Sequence, residues 1–207
     1  FIGNKVILAT GVIVFCLSLL SYFYQQKLHS TVLDSLPFVL SAFALILILK
    51  VFTGRGDALY GWVAVVCSQL FIALSIALLN ENFGHNHVLI YLSGSLVSAV
   101  VGYICLARIK AIDNDILLNR FHGYSYEQPV VGFVFLMACL GLIGLPFTPT
   151  FIGIDLLFSH IHKQEAILIV ITALSFLFIE ISVLRIYARI FLGPHKKQSH
   201  PIAFRSS

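Results

Sequence analysis

The residues of this sequence that could do chemistry are polar side chains set inside strongly apolar stretches. Six of them are candidates for one shared role, and they are Lys50, Ser68, Gln69, His87, Asp155 and Glu180. Carboxyl and imidazole groups take up and release protons, and hydroxyl and amide groups can hold the water through which protons move. The sequence contains no catalytic triad, glycine-rich phosphate loop or metal-ligand spacing. These six residues are therefore candidates for a polar pathway through the membrane, and we expect no catalytic centre, no metal and no cofactor.

A group of helix-breaking residues interrupts the longest apolar run, Pro129–His160. Gly144, Pro146 and Pro149 lie close together, and each proline removes a backbone donor and clashes with the turn before it. We expect the helix to open between about residues 144 and 150. Carbonyl groups freed at that depth must be buried in protein or line a wet cavity, so the break marks either a proton pathway or a simple proline kink.

Two acids accompany this break. Glu180 lies near the middle of the apolar run Ala166–Leu192. A charge at the bilayer centre costs about 2.5–3.5 kcal/mol on insertion scales, so Glu180 marks either a polar pathway or a neutral carboxyl bonded to a neighbouring helix, with Arg185 as a partial partner. Asp155 follows the break, where the free amides of a half-helix stabilise an acid. It is either a relay group or a cap.

The other polar candidates also allow two interpretations each. His87 lies with His85 at the outer mouth of its apolar run and is either a titrating relay group or a loop side chain. Ser68 and Gln69 either bridge water or tie helices together through hydrogen bonds. Lys50 either reaches out to the membrane surface or contributes to the pathway.

These residues belong to apolar runs that together predict an all-α protein, a polytopic bundle of transmembrane helices. Hydrophobic residues make up 59% of the chain and charged ones 11%, against about 45–50% and about 25% in a soluble domain. A bilayer core of about 30 Å needs about 20 apolar residues. Six runs are candidate spans: Lys5–Tyr24, Leu36–Phe52, Leu59–Leu79, His87–Ala107, Pro129–His160 and Ala166–Leu192.

The basic residues predict how these spans are oriented. If each run crosses the membrane once, all of the 13 lysines and arginines except Lys27 and Lys163 fall on one side. This bias places both termini on the cytoplasmic or matrix side. It also favours one interrupted crossing for Pro129–His160, because a hairpin there would even out the charges. The segment Arg108–Gln128 is expected to form a surface helix along the membrane interface or against a partner.

The break and its flanks resemble the late helices of the antiporter-like proton-channel subunits of respiratory complex I and the Mrp-type sodium/proton antiporters. The similar stretches are GLIGLPFTPTFIGIDLLF and ALSFLFIEISVLRIYARIFLGP. The positions that fit are Gly144, Leu145, Pro146, Phe151, Asp155, Arg189, Phe191 and Gly193. A third stretch, GDALYGWVAVVCSQL, supplies Asp57, Ser68, Gln69 and Leu70 in the family's order.

The resemblance implies the second of two inverted repeats, over residues 36–193. Residues 1–35 would then form a first transmembrane helix and loop, and residues 194–207 a polar tail. The chain departs from the family where a proton-relaying lysine is expected after the histidines, since no Lys or Arg occurs between Arg55 and Arg108. Because the chain begins with Phe rather than Met, we expect a processed product or a piece of a longer subunit.

The function implied by the resemblance is that of a membrane-arm subunit in an NADH:quinone oxidoreductase-like complex, contributing part of a transmembrane proton pathway. The expected partners are other membrane subunits and the lipid bilayer, with no nucleic acid. The expected location is a bacterial inner membrane or the mitochondrial inner membrane. Two alternatives stay open. One is a structural membrane subunit that has lost the relay, and the other is the membrane partner of a proton-driven inorganic-carbon uptake complex.

Overall fold

The computed structural model describes residues 13, 16, 30–79, 86–159, 161 and 165–194. Within them the chain forms six helices: α1 Ser30–Thr53, α2 Ala58–Leu79, α3 Asn86–Asp113, α4 Pro129–Ile143, α5 Pro149–Ser159 and α6 Ala166–Phe191. No strand occurs in this part of the chain. The prediction of an all-α polytopic bundle is confirmed. The first apolar run, apart from Ile13 and Cys16, and the tail from residue 195 on lie outside the described residues.

Four of these helices are long and apolar enough to cross a membrane: α1 over Ser35–Thr53, α2, α3 and α6. Two shorter apolar helices, α4 and α5, divide the longest run of the sequence between them. The α2 helix is the most buried of the four long helices, so it forms the centre of the bundle. The apolar runs predicted from composition therefore correspond to helices wherever the structure describes them.

Small residues and buried hydrogen bonds tie the helices together. The indole nitrogen of Trp62 on α2 donates to the carbonyl of Ala99 on α3 at 2.9 Å. Gly102 lies against the same indole, where a Cβ would collide with the ring. The hydroxyl groups of Ser41 and Ser75 are 2.8 Å apart between α1 and α2. Close backbone approach and buried polar contacts of this kind hold transmembrane helices together, because lipid offers no hydrophobic driving force between them.

The segment predicted as a surface helix, Arg108–Gln128, is not one. Its first residues extend α3 to Asp113. The remainder, residues 114–128, crosses the end of the bundle as an irregular segment that we call the strap. Ile116 and Leu118 are buried, and the exposed Leu117 between them forms an isolated bridge with Asp57. This alternation has the period of an extended chain rather than of a helix, which is why the segment pairs with the loop before α2.

The strap joins α6 as well. Its backbone N–H of His122 donates to the carbonyl of Arg189 at 2.9 Å. Tyr124 is buried, and burial followed by the nearby charges of Asp115 and Glu127 raises the pKa of its phenol. The phenol therefore stays protonated and donates to the carboxylate of Asp113. The strap thus fixes the end of α6 relative to the end of α3.

Several basic residues meet at this end of the bundle. Lys110 forms an ion pair with Asp57, and the guanidinium of Arg189 lies over the ring of Phe121, 4.4 Å from its centroid. Arg185 donates to the carbonyl of Gly54 at 2.9 Å. The loops that the charge pattern assigns to one side of the membrane are therefore together at one end. That this end faces the cytoplasm or matrix stays a prediction.

Candidate functional site

The predicted break lies between α4 and α5. The α4 helix ends at Ile143, and Gly144 follows in the left-handed conformation with φ 86°, which favours glycine. Its N–H bonds to the carbonyl of Leu140, and so does the N–H of Leu145 at 2.9 Å. The α5 helix begins at Pro149, where a missing N–H does no harm because the first amides of a helix have no internal partner. The opening expected between about residues 144 and 150 is confirmed.

The two half-helices continue in one direction, as the single interrupted crossing requires. On α4, Gly141 touches Ser98 of α3, and on α5, Gly153 touches the backbone of Tyr91 of α3. As the chain advances from 141 to 153, its contact point on α3 moves back from 98 to 91. A hairpin would have sent α5 back along α3 toward higher numbers. The two half-helices therefore run in the same direction along α3, and a single crossing of the membrane stays a prediction.

The carbonyl of Leu142 is the centre of the break. In a continuous helix it would accept from the N–H of residue 146, but this residue is Pro146 and has no N–H. The side-chain nitrogen of Gln69 on α2 donates to this carbonyl instead, at 2.9 Å. Gln69 is 1% exposed, so the freed carbonyl is satisfied inside protein rather than by lipid.

Several buried polar atoms in the helices that meet at the break have no protein partner. Among the described residues they include Oε1 of Gln69, the hydroxyl of Tyr91 and the hydroxyl of Thr150. Thr150 lies at the start of α5 against Gly94 of α3, where a Cβ would come within 2.7 Å of the Thr150 nitrogen. A buried polar group without a hydrogen bond costs about 1–3 kcal/mol, so these atoms favour an interior that holds water.

His87 and Ser68 are both buried. His87 is in the first turn of α3, and Tyr91 follows four residues later on the same face of that helix. The hydroxyl of Ser68 donates to the carbonyls of Ala44 on α1 and Ala64 on α2, at 3.2 and 3.1 Å. Ser68 therefore ties two helices together, and its membership of a proton pathway stays a prediction. His85 lies outside the described residues.

Lys50 lies near the end of α1, away from the break. It lines a cavity of about 240 Å³ together with Asp57, Tyr60 and Leu118. The carboxylate of Asp57 also accepts from the N–H of Leu59 at 2.8 Å, which caps the start of α2. The cavity is therefore a feature of the end that carries the strap.

The two acids lie on exposed surfaces. Asp155 is exposed on α5, and Glu180 is exposed near the middle of α6. Neither carboxyl has a hydrogen bond or ion pair with any residue that the structure describes. Arg185, predicted as a partial partner of Glu180, donates instead to the carbonyls of Phe52 and Gly54 at the end of α1. The amide of Gln69 and the hydroxyl of Thr150 are therefore buried, while both acids are exposed.

Glu180 belongs to a stripe that we call the outer face of α6. It consists of Leu177, Glu180, Ile181 and Leu184, spaced so that all four share one side of the helix. The three apolar side chains are 49%, 40% and 44% exposed.

Sequence reasoning missed Tyr91 and Thr150. A signal existed for each of them, since Tyr91 lies one helical turn after His87 and Thr150 follows the second proline of the break directly. In the described part of the chain, no group of three or more His, Cys, Asp or Glu side chains could hold a metal ion.

Known proteins similar to this chain include NADH-quinone oxidoreductase subunit M of Rickettsia conorii (strain ATCC VR-613 / Malish 7) and of Rickettsia felis (strain ATCC VR-1525 / URRWXCal2). Each is 34% identical over 76 residues, which is 37% of this chain and 15% of the relative. The match therefore spans less than a sixth of the length of these relatives. No family model matches the sequence, and no solved structure matches it. The resemblance to antiporter-like complex I subunits is confirmed by these relatives.

Proposed function

We propose that this chain is a membrane subunit of an NADH-quinone oxidoreductase-type complex and that part of a proton pathway passes beside its helix break. The assignment to such a complex is supported by the similarity to NADH-quinone oxidoreductase subunit M. The four long apolar helices support a membrane location, and the same similarity supports an energy-transducing membrane. The pathway is supported by the chain's own geometry at Gln69.

The observation that carries the pathway is the bond from Gln69 to the carbonyl of Leu142. A proline would normally leave a transmembrane helix with an unbonded carbonyl. In this chain the buried amide of Gln69 donates to that carbonyl. The same amide retains a buried oxygen, Oε1, without a protein partner. That oxygen can accept a hydrogen bond from a water molecule, which would then lie close to the carbonyl of Leu142 at the break.

The polar groups around the break define a direction for the pathway. His87 and Tyr91 share one face of α3, and Tyr91 touches α5 at Gly153. Thr150 at the start of α5 adds a second buried hydroxyl, and it lies against Gly94 of α3. An imidazole that titrates near neutral pH can exchange protons, and the hydroxyl groups pass them on through water. Protons would then move between the outer end of α3 and the break.

A structural subunit is the second candidate, and one observation favours it. The stretch between Arg55 and Arg108 contains no Lys or Arg, whereas the resemblance implies a proton-relaying lysine there. In this case the contacts of Ser68 and Gln69 would serve only to hold helices together.

The two candidates are separated by Tyr91→Phe. This change removes a buried hydroxyl that has no protein partner and keeps the ring contact with Phe176, at 6.0 Å between centroids. A structural subunit predicts a silent or slightly stabilising change. A proton pathway predicts that pumping per electron falls while the complex assembles normally. The measurement is NADH-driven acidification of membrane vesicles, with quinone reduction followed in parallel.

Ser182→Ala is the matched control, because it also removes a buried hydroxyl without a protein partner, on α6. Unchanged proton pumping in Tyr91→Phe, at normal assembly, would refute the pathway and leave the structural subunit.

A further inference from the structure

We propose that the outer face of α6 binds a transmembrane helix of a neighbouring membrane subunit, and that this helix presents a basic side chain to the carboxyl of Glu180. The proposal rests on the multi-subunit assembly proposed above, but not on the proton pathway. It concerns a surface that no part of the described chain covers.

The outer face of α6 has the shape of a helix-binding stripe. Leu177, Glu180, Ile181 and Leu184 follow the spacing i, i+3, i+4 and i+7, which forms a straight stripe along one side of α6. A stripe of this width matches one helix lying alongside. The three apolar residues are between 40% and 49% exposed, so each still has surface to bury. Packing against a second helix would cover them and enclose the carboxyl between them.

The carboxyl of Glu180 distinguishes a protein partner from lipid. Lipid tails would cover the three apolar residues equally well, but they offer nothing to an acid near the middle of a span. Glu180 has no hydrogen bond or ion pair with any described residue. Arg185, the nearest basic residue along the helix, bonds to the end of α1. The group that satisfies Glu180 must therefore come from outside the described bundle, and a carboxylate in a low dielectric is stabilised most by an opposite charge.

Two nearer sources do not supply an opposite charge to Glu180. The run Lys5–Tyr24 has its one basic residue, Lys5, at its very start and contains no Lys, Arg or His after it. It can offer hydroxyl groups but no charge to the middle of α6. A second copy of this chain, packed about a two-fold axis through this face, would bring one Glu180 against another, and like charges repel. A different subunit is the occupant that supplies the missing charge.

The experiment uses site-specific photocrosslinking in intact membranes. A benzophenone amino acid is placed at Leu177 or Leu184, and the whole complex is irradiated before purification. The control position is Val100, which is 58% exposed on α3. We expect positions 177 and 184 to give one shared adduct, absent at position 100. Mass spectrometry should map it to a transmembrane segment carrying Lys, Arg or His within about one helical turn of the crosslink.

A charge reversal then tests the pair itself. Glu180→Lys should lower the amount of assembled complex on a native gel by at least about tenfold, because it places two like charges in a buried contact. Changing the identified basic residue to Glu in the same strain should restore assembly. Glu180→Gln, which keeps the shape, should lower it less than Glu180→Lys.

Four outcomes would overturn the proposal. They are adducts to lipid alone, an adduct to a second copy of this chain, an adduct within residues 5–24, and a charge reversal that fails to restore assembly. The proton pathway is tested separately, because the effect of Tyr91→Phe is measured as proton pumping by complexes that have assembled normally. Either proposal can therefore fail while the other stands.

Discussion

The side-chain amide of Gln69 replaces a backbone donor that Pro146 lacks. Its nitrogen lies 2.9 Å from the carbonyl of Leu142, four residues before the proline, and reaches it from a helix 73 residues away in the sequence. A proline in a transmembrane helix is tolerated when a neighbouring group satisfies the freed carbonyl. The relation between the two residues explains both the position of the break and the presence of an amide deep inside α2.

Gln69→Leu should destabilise the chain and disturb the break. The substitution fills the same volume approximately but leaves the carbonyl of Leu142 buried without a donor, which costs about 1–3 kcal/mol. We expect a lower melting temperature of the purified complex and faster proteolysis. Ser41→Ala is a suitable control, since it removes a buried hydroxyl from α1 that bonds to Ser75 and lies away from the break. An equal loss in both variants would contradict a special role for Gln69.

Pro146→Ala should reduce the cost of losing Gln69. Alanine restores the N–H at position 146, which can then reach the carbonyl of Leu142 and compete with the amide. In a double-mutant cycle, Gln69→Leu should therefore be less destabilising with alanine at position 146 than with proline there, by about 0.5–3 kcal/mol of coupling. Additive effects, measured by chemical or thermal unfolding, would show that the two residues do not share this carbonyl.

The location of the break could be predicted from sequence because its cause is local. Gly144, Pro146 and Pro149 act on their own backbone, and the structure opens where they predict. The partner of the freed carbonyl could not be predicted, since Gln69 reaches it through the packing of α2 on α4. From the sequence, Gln69 could be expected either to bind water or to hydrogen-bond to another helix, and the atom that it contacts could not be identified.

The outward position of Glu180 also escaped prediction, for a different physical reason. In a soluble helix an apolar stripe marks the buried side. In α6 both sides are apolar, because one meets protein and the other meets the membrane or a partner. Ile179 is buried and Ile181 is exposed, although both are isoleucines next to Glu180. Residue type alone therefore does not show which side of α6 faces protein. The prediction of a surface helix for the strap was wrong because the strap pairs with the loop before α2, which is distant in the sequence.

Arg185→Ala should weaken the contact between α6 and α1. The guanidinium bonds to the carbonyl of Phe52, in the last turn of α1, and to that of Gly54, directly after the helix. Carbonyl groups at the end of a helix lack an internal donor. We expect a loss of about 1–3 kcal/mol in unfolding free energy, with Arg185→Lys recovering part of it. Arg108→Ala is the matched control, because Arg108 is exposed. Equal stability of the two alanine variants would contradict the role given to Arg185.

Gly153→Ala should separate α5 from α3. A Cβ at this position collides with the backbone of Tyr91, which cannot move as a flexible side chain can. Overpacking of this kind typically costs about 1–3 kcal/mol. Gly61→Ala is the control on α2, since its Cβ would meet the nearest atom, a side-chain carbon of Ile186, at an ordinary 3.5 Å. Lower yield and lower melting temperature are expected for position 153 alone, and tolerance of alanine there would refute the close approach of the two helices.

The charge pattern predicts which end of the bundle faces the cytoplasm or matrix. The strap contains Arg120 and lies beside Arg185 and Arg189, so the positive-inside rule places it on that side. The start of α6 lies at the opposite end of the bundle, because α6 reaches the strap only in its last turns. In a variant with the native cysteines replaced, Ala166→Cys should react with a membrane-impermeant maleimide added from the outside. Asn119→Cys, which is exposed in the strap, should react only after the membrane is opened. Labelling of Asn119→Cys from the outside would invert the orientation, because the structure places the basic loops together at one end and they must face the same side.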